Sequence, residues 1–372
     1  MSDIVPLADP HLDAVARLLR RTFRGTSVDV PPSPALLADL RAIFLDHPDR
    51  DPGIPSLVWQ KPGGGVGGFM GVVPLPMRLD GRTVRAALPS SLMVDDPAKN
   101  PLVGARLVRA FLSGPQDVSI SEPINERAQG LWRKLGAEVP VTESMEWLKV
   151  LRPVGLAVAL AADKRAFLGR LRGAARLADR VALRLGGSRL KTDAAARPLE
   201  TVAAGDEALL AFLTDAGSDY RLRPDWSPAT FAWMLRHVEG SPSRGTPVRR
   251  LVLDRKGKPV GAFLFQGGPG RIAFVLHLAV RNDAAGAVLD ALFAEAAAAG
   301  CVAVKGRTQA RLLPALLTRN AILFRRHGMM IHTRDSDIRA AIHAGDASTG
   351  GLGGESWMRP GGDLAYWEGG PG

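Results

Sequence analysis

Two stretches of this chain carry the same order of hydrophobic patterns, and that duplication limits the fold more than any single motif does. In the first stretch, residues 4–7 read as a short apolar strand. Asp9 and Pro10 then open a helix with Val15, Leu18, Leu19 and Phe23 at helical spacing, and residues 33–45 read as a second helix. Strands follow at 56–60 and 67–73, an extended segment covers 74–80, and Asp80-Gly81 marks a hairpin turn into strands at 83–88 and 90–94. A helix over 101–112, a strand over 117–121 and a helix over 124–135, stopped by Gly136, complete the series. The second stretch repeats it: a strand at 199–202, helices at 206–213 and 227–238, strands at 250–254, 259–265 and 272–280, a helix at 284–299, a strand at 302–305 and a helix at 311–318. The repeat lies in the order of elements, not in residue identity.

A length of 372 residues suits two domains of ordinary size. The spacing places a first unit at residues 1–150, a basic helical linker at 151–196, a second unit at 197–345 and a Gly-rich tail at 346–372. Trp357, Tyr366 and Trp367 in that tail suggest that it docks. The net charge of +11 matches a partner rich in phosphate, but an arginine-heavy composition of this kind also arises from GC-rich coding. The Arg-rich helical pattern over 164–191 offers a contact for an anionic surface or RNA; the competing reading is a solvated linker helix packed on both units. With Cys301 as the single cysteine, an intrachain disulfide and a thiolate zinc cage are excluded. The N-terminus shows no signal-peptide pattern and no apolar run reaches the length of a membrane span, so a cytoplasmic protein is expected.

Residues 63–68 formally contain GxGxxG, but a strand follows instead of a helix, so a loose hairpin is the better reading than a dinucleotide fingerprint. GxxxxGK[ST], HExxH and GxSxG are absent. Two regions carry more. In residues 90–112, SSLMVDDPAKNPLVGARLVRAFL, a strand ending at Val94 leads through a polar loop to a helix start. Free backbone N–H groups at such a start favour a pyrophosphate, Gly104 lets a ligand approach the backbone, and Lys99 and Arg106 add positive charge. In residues 119–136, SISEPINERAQGLWRKLG, a strand is followed by Asn125 and a helix that carries Trp132 and ends at Gly136.

With these two segments in place, the first stretch resembles the GNAT acyltransferase superfamily over its whole length. The resemblance implies an α/β fold of two GNAT-like units, each a mixed, mainly antiparallel sheet flanked by helices, joined by a helical linker. It implies coenzyme A or acetyl-CoA as co-substrate, an amine as acceptor and no metal. It places coenzyme contacts on Val94, Lys99, Leu102, Val103, Gly104, Ala105, Arg106 and Asn125. The family's phosphate loop, [Q/R]xxGx[G/A], falls on Lys99, Leu102 and Gly104; only the last glycine is kept. Where relatives use a tyrosine to protonate the leaving thiolate, this chain has Trp132, and an indole N–H cannot serve as that acid.

Glu122, at the end of the fifth strand, is the candidate base for the ammonium proton; a helix-entry acid would look the same in sequence. The second stretch resembles the superfamily more faintly, with residues 257–261 as a hairpin and Arg281, Asn282 and Gly286 at the loop position. His277 on its fourth strand reads as a packed residue or a base. Tandem relatives include the enhanced-intracellular-survival acetyltransferases and the Fem-type transferases that use aminoacyl-tRNA. Three functions therefore stay open: an acyl-CoA-dependent N-acyltransferase, a Fem-like transferase, and a non-catalytic acyl-CoA-binding or scaffold protein.

Overall fold

A computed structural model describes residues 4–24, 31–124, 126–162, 198–240, 245–325, 328–354 and 357–358. Asn125 and most of the basic linker, residues 163–197, lie outside the described residues. The first half runs β1 (Ile4–Pro6), α1 (Leu12–Arg24), α2 (Pro34–Phe44), β2 (Leu57–Gln60), β3 (Val66–Leu79), β4 (Arg82–Val94), α3 (Val103–Leu112), β5 (Val118–Ile124), α4 (Glu126–Lys134), β6 (Glu146–Val150) and α5 (Pro153–Ala162). The second half runs β7 (Glu200–Ala203), α6 (Asp206–Gly217), β8 (Leu222–Pro224), α7 (Pro228–Glu239), β9 (Thr246–Leu253), β10 (Pro259–Gly267), β11 (Ile272–Val280), α8 (Ala285–Ala298), β12 (Ala303–Arg307), α9 (Leu313–Thr318), β13 (Ile322–Phe324), β14 (Gly328–Thr333) and α10 (Ser336–His343).

Local chemistry sets many of these boundaries. Ser33 caps α2, its side chain accepting from the Leu36 N–H at 3.2 Å, with Pro34 at the first helical position. Ser227 and Pro228 open α7 in the same way. Gly136, at φ 89, ends the turn after α4.

The elements form two sheets, as the duplicated pattern requires. The first has the order β1-β2-β3-β4-β5-β14, with β8 paired to β3; the second has the order β13-β6-β12-β11-β10-β9-β7. Each half has given its late strand to the other half's sheet. β6, inside the stretch read as the first unit, pairs antiparallel with β12, so that Trp147 lies opposite Gly306. β14, inside the stretch read as the second unit, pairs antiparallel with β5, so that Ile331 lies opposite Ile120. Unit limits at 150 and 197 thus separate two stretches of sequence but not two sheets. Alternation in a sequence fixes which face of a strand is buried, and leaves open which strand it pairs with.

The exchanged β6 is firmly held. Trp147 is fully buried, its indole N–H donates to the Arg307 carbonyl at 2.9 Å, and its ring meets Phe293 edge-on at 6.1 Å. A methyl on Gly306 would come within 2.6 Å of that indole, so glycine is required beneath it. The largest core joins α1 and α2 on the first sheet to α6 and α7 on the second. The opposite face of the first sheet is covered by α3 and α4, and that of the second by α8 and α9. Trp357 is buried in the shared core, 5.0 Å from Trp233, while Tyr366 and Trp367 lie outside the described residues.

Candidate active site

In both sheets the parallel pair at the centre opens into a V. β4 and β5 pair only at Ala86–Val118 and Ala87–Ser119, after which β4 continues to Val94. β11 and β12 pair from Ile272–Ala303 to Phe274–Lys305, after which β11 continues to Val280. Each long arm carries a β-bulge at the opening. On β4, Ser91 and Leu92 stand opposite Met70 alone, and Ser91 has φ 54. A non-glycine residue there costs on the order of 1–3 kcal/mol, so the surrounding sheet must enforce it. On β11 the additional residue is Leu276.

The two Vs differ in what lies inside and above them. At the end of the first V, a compact turn joins β4 to α3. The Asp95 N–H donates to the Gly67 carbonyl at 2.8 Å, the Asn100 side-chain amide donates to the Asp95 carbonyl at 3.0 Å, and the Lys99 N–H donates to the Asp96 carbonyl at 3.0 Å. Asp95 pairs with Lys61 at 2.5 Å and with Arg21 at 3.3 Å, and Asp96 pairs with Lys99 at 2.8 Å. The ammonium beside it holds the Asp96 carboxyl below the usual carboxylate range. Asp95 and Asp96 therefore build the turn and gather three cations around it. Val94, Lys99, Leu102, Val103, Gly104, Ala105 and Arg106 come together at this strand end and first helical turn. Val103 is buried, whereas Leu102 is 70% exposed. Around Gly104 the backbone is open: an added Cβ would meet nothing nearer than Val94 Cγ2 at 3.7 Å. Packing does not require glycine there. Trp132 is buried against Phe111, with ring centres 6.0 Å apart, and serves the core under α3.

The second V is partly filled by the protein itself. Gln309 spans it, its amide donating to the Leu278 carbonyl of β11 at 3.0 Å while accepting from the Tyr220 hydroxyl at 3.1 Å. The segment after α10 lies against the bulge. The Leu352 N–H donates to His277 Nδ1 at 3.4 Å, and Gly351 has φ 67 and so little room that a Cβ would sit 2.1 Å from the Leu276 carbonyl oxygen. His277 is packed edge-on to Trp226 at 5.7 Å, and burial pushes its pKa down to about 4. Over the start of α8, the Arg319 guanidinium covers Gly286, where a Cβ would meet it at 2.6 Å, and is clamped to both carboxylate oxygens of Asp290 at 2.7 Å.

In the space that the second V leaves open, facing Glu122 of the first half, lies a narrow cleft. Glu122 lines its inner end, fully buried, and Arg307 from the end of β12 reaches Glu122 Oε2 through Nε at 2.9 Å. Glu143, His277, Thr308 and Gln309 line the same cleft. Of these, the sequence reading singled out only Glu122 and His277. Glu143, Arg307 and Thr308 sit in a turn and at a strand end, and become neighbours only through the strand exchange. Among the described residues no group of three or more His, Cys, Asp or Glu is placed to hold a metal ion, and no helix is long and apolar enough to cross a membrane.

No protein-family model matches the chain, and no curated protein does. Solved structures do match its fold. A GCN5-related N-acetyltransferase from Kribbella flavida aligns with TM-score 0.55 and 15% identity over 90% of this chain and 71% of its own. A GCN5-related N-acetyltransferase from Anabaena variabilis aligns with TM-score 0.57 and 14% identity over 89% and 72%. A probable N-acyltransferase from Enterococcus faecalis aligns with TM-score 0.57 and 9% identity over 89% and 72%. At these identities the likeness establishes the fold: α/β, with two GNAT-type sheets flanked by helices.

Proposed function

We propose that this pair of GNAT-fold units is an N-acyltransferase that takes an acyl group from acyl-coenzyme A at the first V and passes it to an amine entering from the cleft between the halves. One observation carries the reading. The first V opens after two residue pairs, keeps a bulged free arm in β4, and ends at a helix start whose Gly104 has open space in front of it. A helix N-terminus with open backbone suits a pyrophosphate, and a strand edge without a partner suits the amides of an extended thiol arm. Val94, Lys99, Leu102, Val103, Gly104, Ala105, Arg106 and Asn125 are the proposed coenzyme contacts.

In this reading the thioester lies beside the Ser91–Leu92 bulge, which turns backbone N–H groups toward the carbonyl oxygen. The amine nitrogen attacks the carbonyl carbon, the C–N bond forms, the C–S bond breaks and the thiolate leaves. The ammonium proton passes through water to Glu122, which Arg307 keeps in place at the end of β5. Because Trp132 cannot give a proton to the thiolate, water supplies it. No metal takes part in this scheme. Calorimetry with acetyl-CoA, followed by turnover with a panel of amines, tests the reading. Coenzyme binding without turnover would leave a non-catalytic acyl-CoA-binding role, and transfer from aminoacyl-tRNA alone would leave the Fem-like one.

A further inference from the structure

Glu143 stands in the turn between α4 and β6, on the wall of the cleft between the halves. It is half-buried, and among the described residues no cation lies within ion-pair distance of its carboxylate. That separates it from the other carboxylates of the region, since Glu122 is paired with Arg307 at 2.9 Å and Glu146 with Lys305 at 3.0 Å. Burial raises the Glu143 pKa, against the opposing pull of its own backbone N–H and of His343.

A second polar group lies on the same wall. Thr308 is 3% exposed, lines the cleft, and its hydroxyl makes no hydrogen bond among the described residues. Leaving a buried hydroxyl unpaired is costly, and such groups call for an explanation. The segments that carry the two groups are tied together through the backbone. The Thr308 N–H donates to the Met145 carbonyl at 2.9 Å, and the Arg307 guanidinium reaches the Glu143 carbonyl through Nη1 at 3.4 Å. The turn and the strand end thus form one rigid wall, and Val275, Leu276, Leu278 and Met329 supply apolar surface around it.

We infer that this wall is a binding site for a second, non-reacting cation of the acceptor, with the Glu143 carboxylate receiving an ammonium group and the Thr308 hydroxyl completing its hydrogen bonds. The inference rests on the proposed transferase reading for the word acceptor. It goes further by naming the acceptor class as a short diamine or another amine that carries a separate positive group. A carboxylate that held the reacting nitrogen as ammonium would oppose attack unless it also took the proton. A carboxylate that holds a second ammonium fixes the substrate without that cost.

The test uses 1,3-diaminopropane and 1-aminopropane with the full chain, its E143Q variant and its T308V variant. Both substitutions keep side-chain size, and T308V removes an unpaired buried hydroxyl, so folding should survive. The wild type is expected to show a KM for the diamine at least about 10-fold below that for the monoamine, the scale of a charge-assisted hydrogen bond. E143Q should erase that preference with kcat unchanged, and T308V should weaken it several-fold. Equal loss of kcat for both amines in E143Q would make Glu143 a proton acceptor and overturn the inference, as would an unchanged preference. Direct calorimetry of 1,3-diaminopropane without coenzyme separates this from failure of the transferase reading. Glu143-dependent diamine binding in a chain that does not bind acetyl-CoA would sink the latter alone.

Discussion

The Arg307 guanidinium and the Glu122 carboxylate form an ion pair across the two halves, Nε to Oε2 at 2.9 Å, with Glu122 fully buried and Arg307 10% exposed. The pair joins the end of β5 to the end of β12, the short arms of the two Vs. A buried ion pair adds little net stability compared with a well-packed apolar pair, but removing one partner strands the other charge in the interior. Arg307→Met should therefore destabilise the fold by about 3–5 kcal/mol, read as a drop in the urea midpoint. Glu122→Gln should cost less, because the Arg307 it leaves behind is 10% exposed and keeps contact with water, whereas Glu122 is fully buried. On turnover the order reverses. Glu122→Gln should lower kcat by roughly 10²–10⁴-fold while leaving coenzyme affinity nearly unchanged. A Gln variant with full turnover and reduced stability would assign the pair to architecture alone and move proton removal elsewhere in the cleft.

Gly104 separates the demands of the fold from those of the ligand. Its nearest neighbour for an added Cβ is 3.7 Å away and its backbone is ordinary helix. Gly104→Ala should leave stability unchanged or raise it by up to about 1 kcal/mol, because alanine restricts the unfolded chain. It should still weaken coenzyme A, and Gly104→Asp should weaken it much further by facing phosphate with a carboxylate. Thermal unfolding and calorimetry on the same two variants check both halves of the prediction. Unchanged affinity in Gly104→Asp would remove the start of α3 from the site.

The local elements around this site were legible in sequence because short-range chemistry writes them: Ser33 and Pro34 at one helix start, Gly136 at one helix end, the Asp80-Gly81 turn with both residues at positive φ. The strand–loop–helix from Ser90 to Leu112 was legible too, although two expected strands at 83–88 and 90–94 are one strand bent at Ser91. The cleft was not. Glu143 and Thr308 are separated in sequence, and only the pairing of β6 with β12 brings the turn of one to the strand end of the other. No periodicity records a pairing partner. β6, β8, β13, β14 and α10 were missed for a related reason: they are short, and their stability comes from the sheet or core they join.

The obstruction of the second V leads to a stoichiometry. Gln309 occupies the Leu278 carbonyl, Gly351 lies on the bulge, and Arg319 covers Gly286 at the helix start. One coenzyme A per chain should bind, and isothermal titration should return a site number near one. Gly351→Ala combines a positive φ with a Cβ placed 2.1 Å from a carbonyl oxygen, so it should destabilise by at least about 1–3 kcal/mol through backbone strain alone. Its coenzyme stoichiometry should stay at one. A site number of two in the wild type would show that the tail segment yields to ligand.

Two buried histidines set the acid limit of stability. His47 lies under Trp233, ring centres 4.4 Å apart, and accepts from the Asp49 N–H through Nδ1 at 2.9 Å. Burial first, and His237 second, lower its pKa from 6.5 to about 4. Burial alone lowers that of His277 from 6.5 to about 4. Both folded-state values lie below the unfolded one, so between about pH 6.5 and 4 the unfolded chain binds protons that the native chain refuses. Their contribution is complete above pH 6.5 and is lost as pH falls toward 4, at a slope approaching one proton for each histidine. Urea midpoints measured from pH 8 to pH 4.5 should fall within this window while remaining nearly flat above it. His47→Gln keeps a side-chain acceptor for the Asp49 N–H and cannot take up a proton, so its stability curve should lose about one proton of slope. It should cross the wild-type curve as the pH is lowered. A His47→Gln curve parallel to the wild type throughout would mean that His47 protonates without cost in the folded protein, and that the tight contact with Trp233 opens in acid.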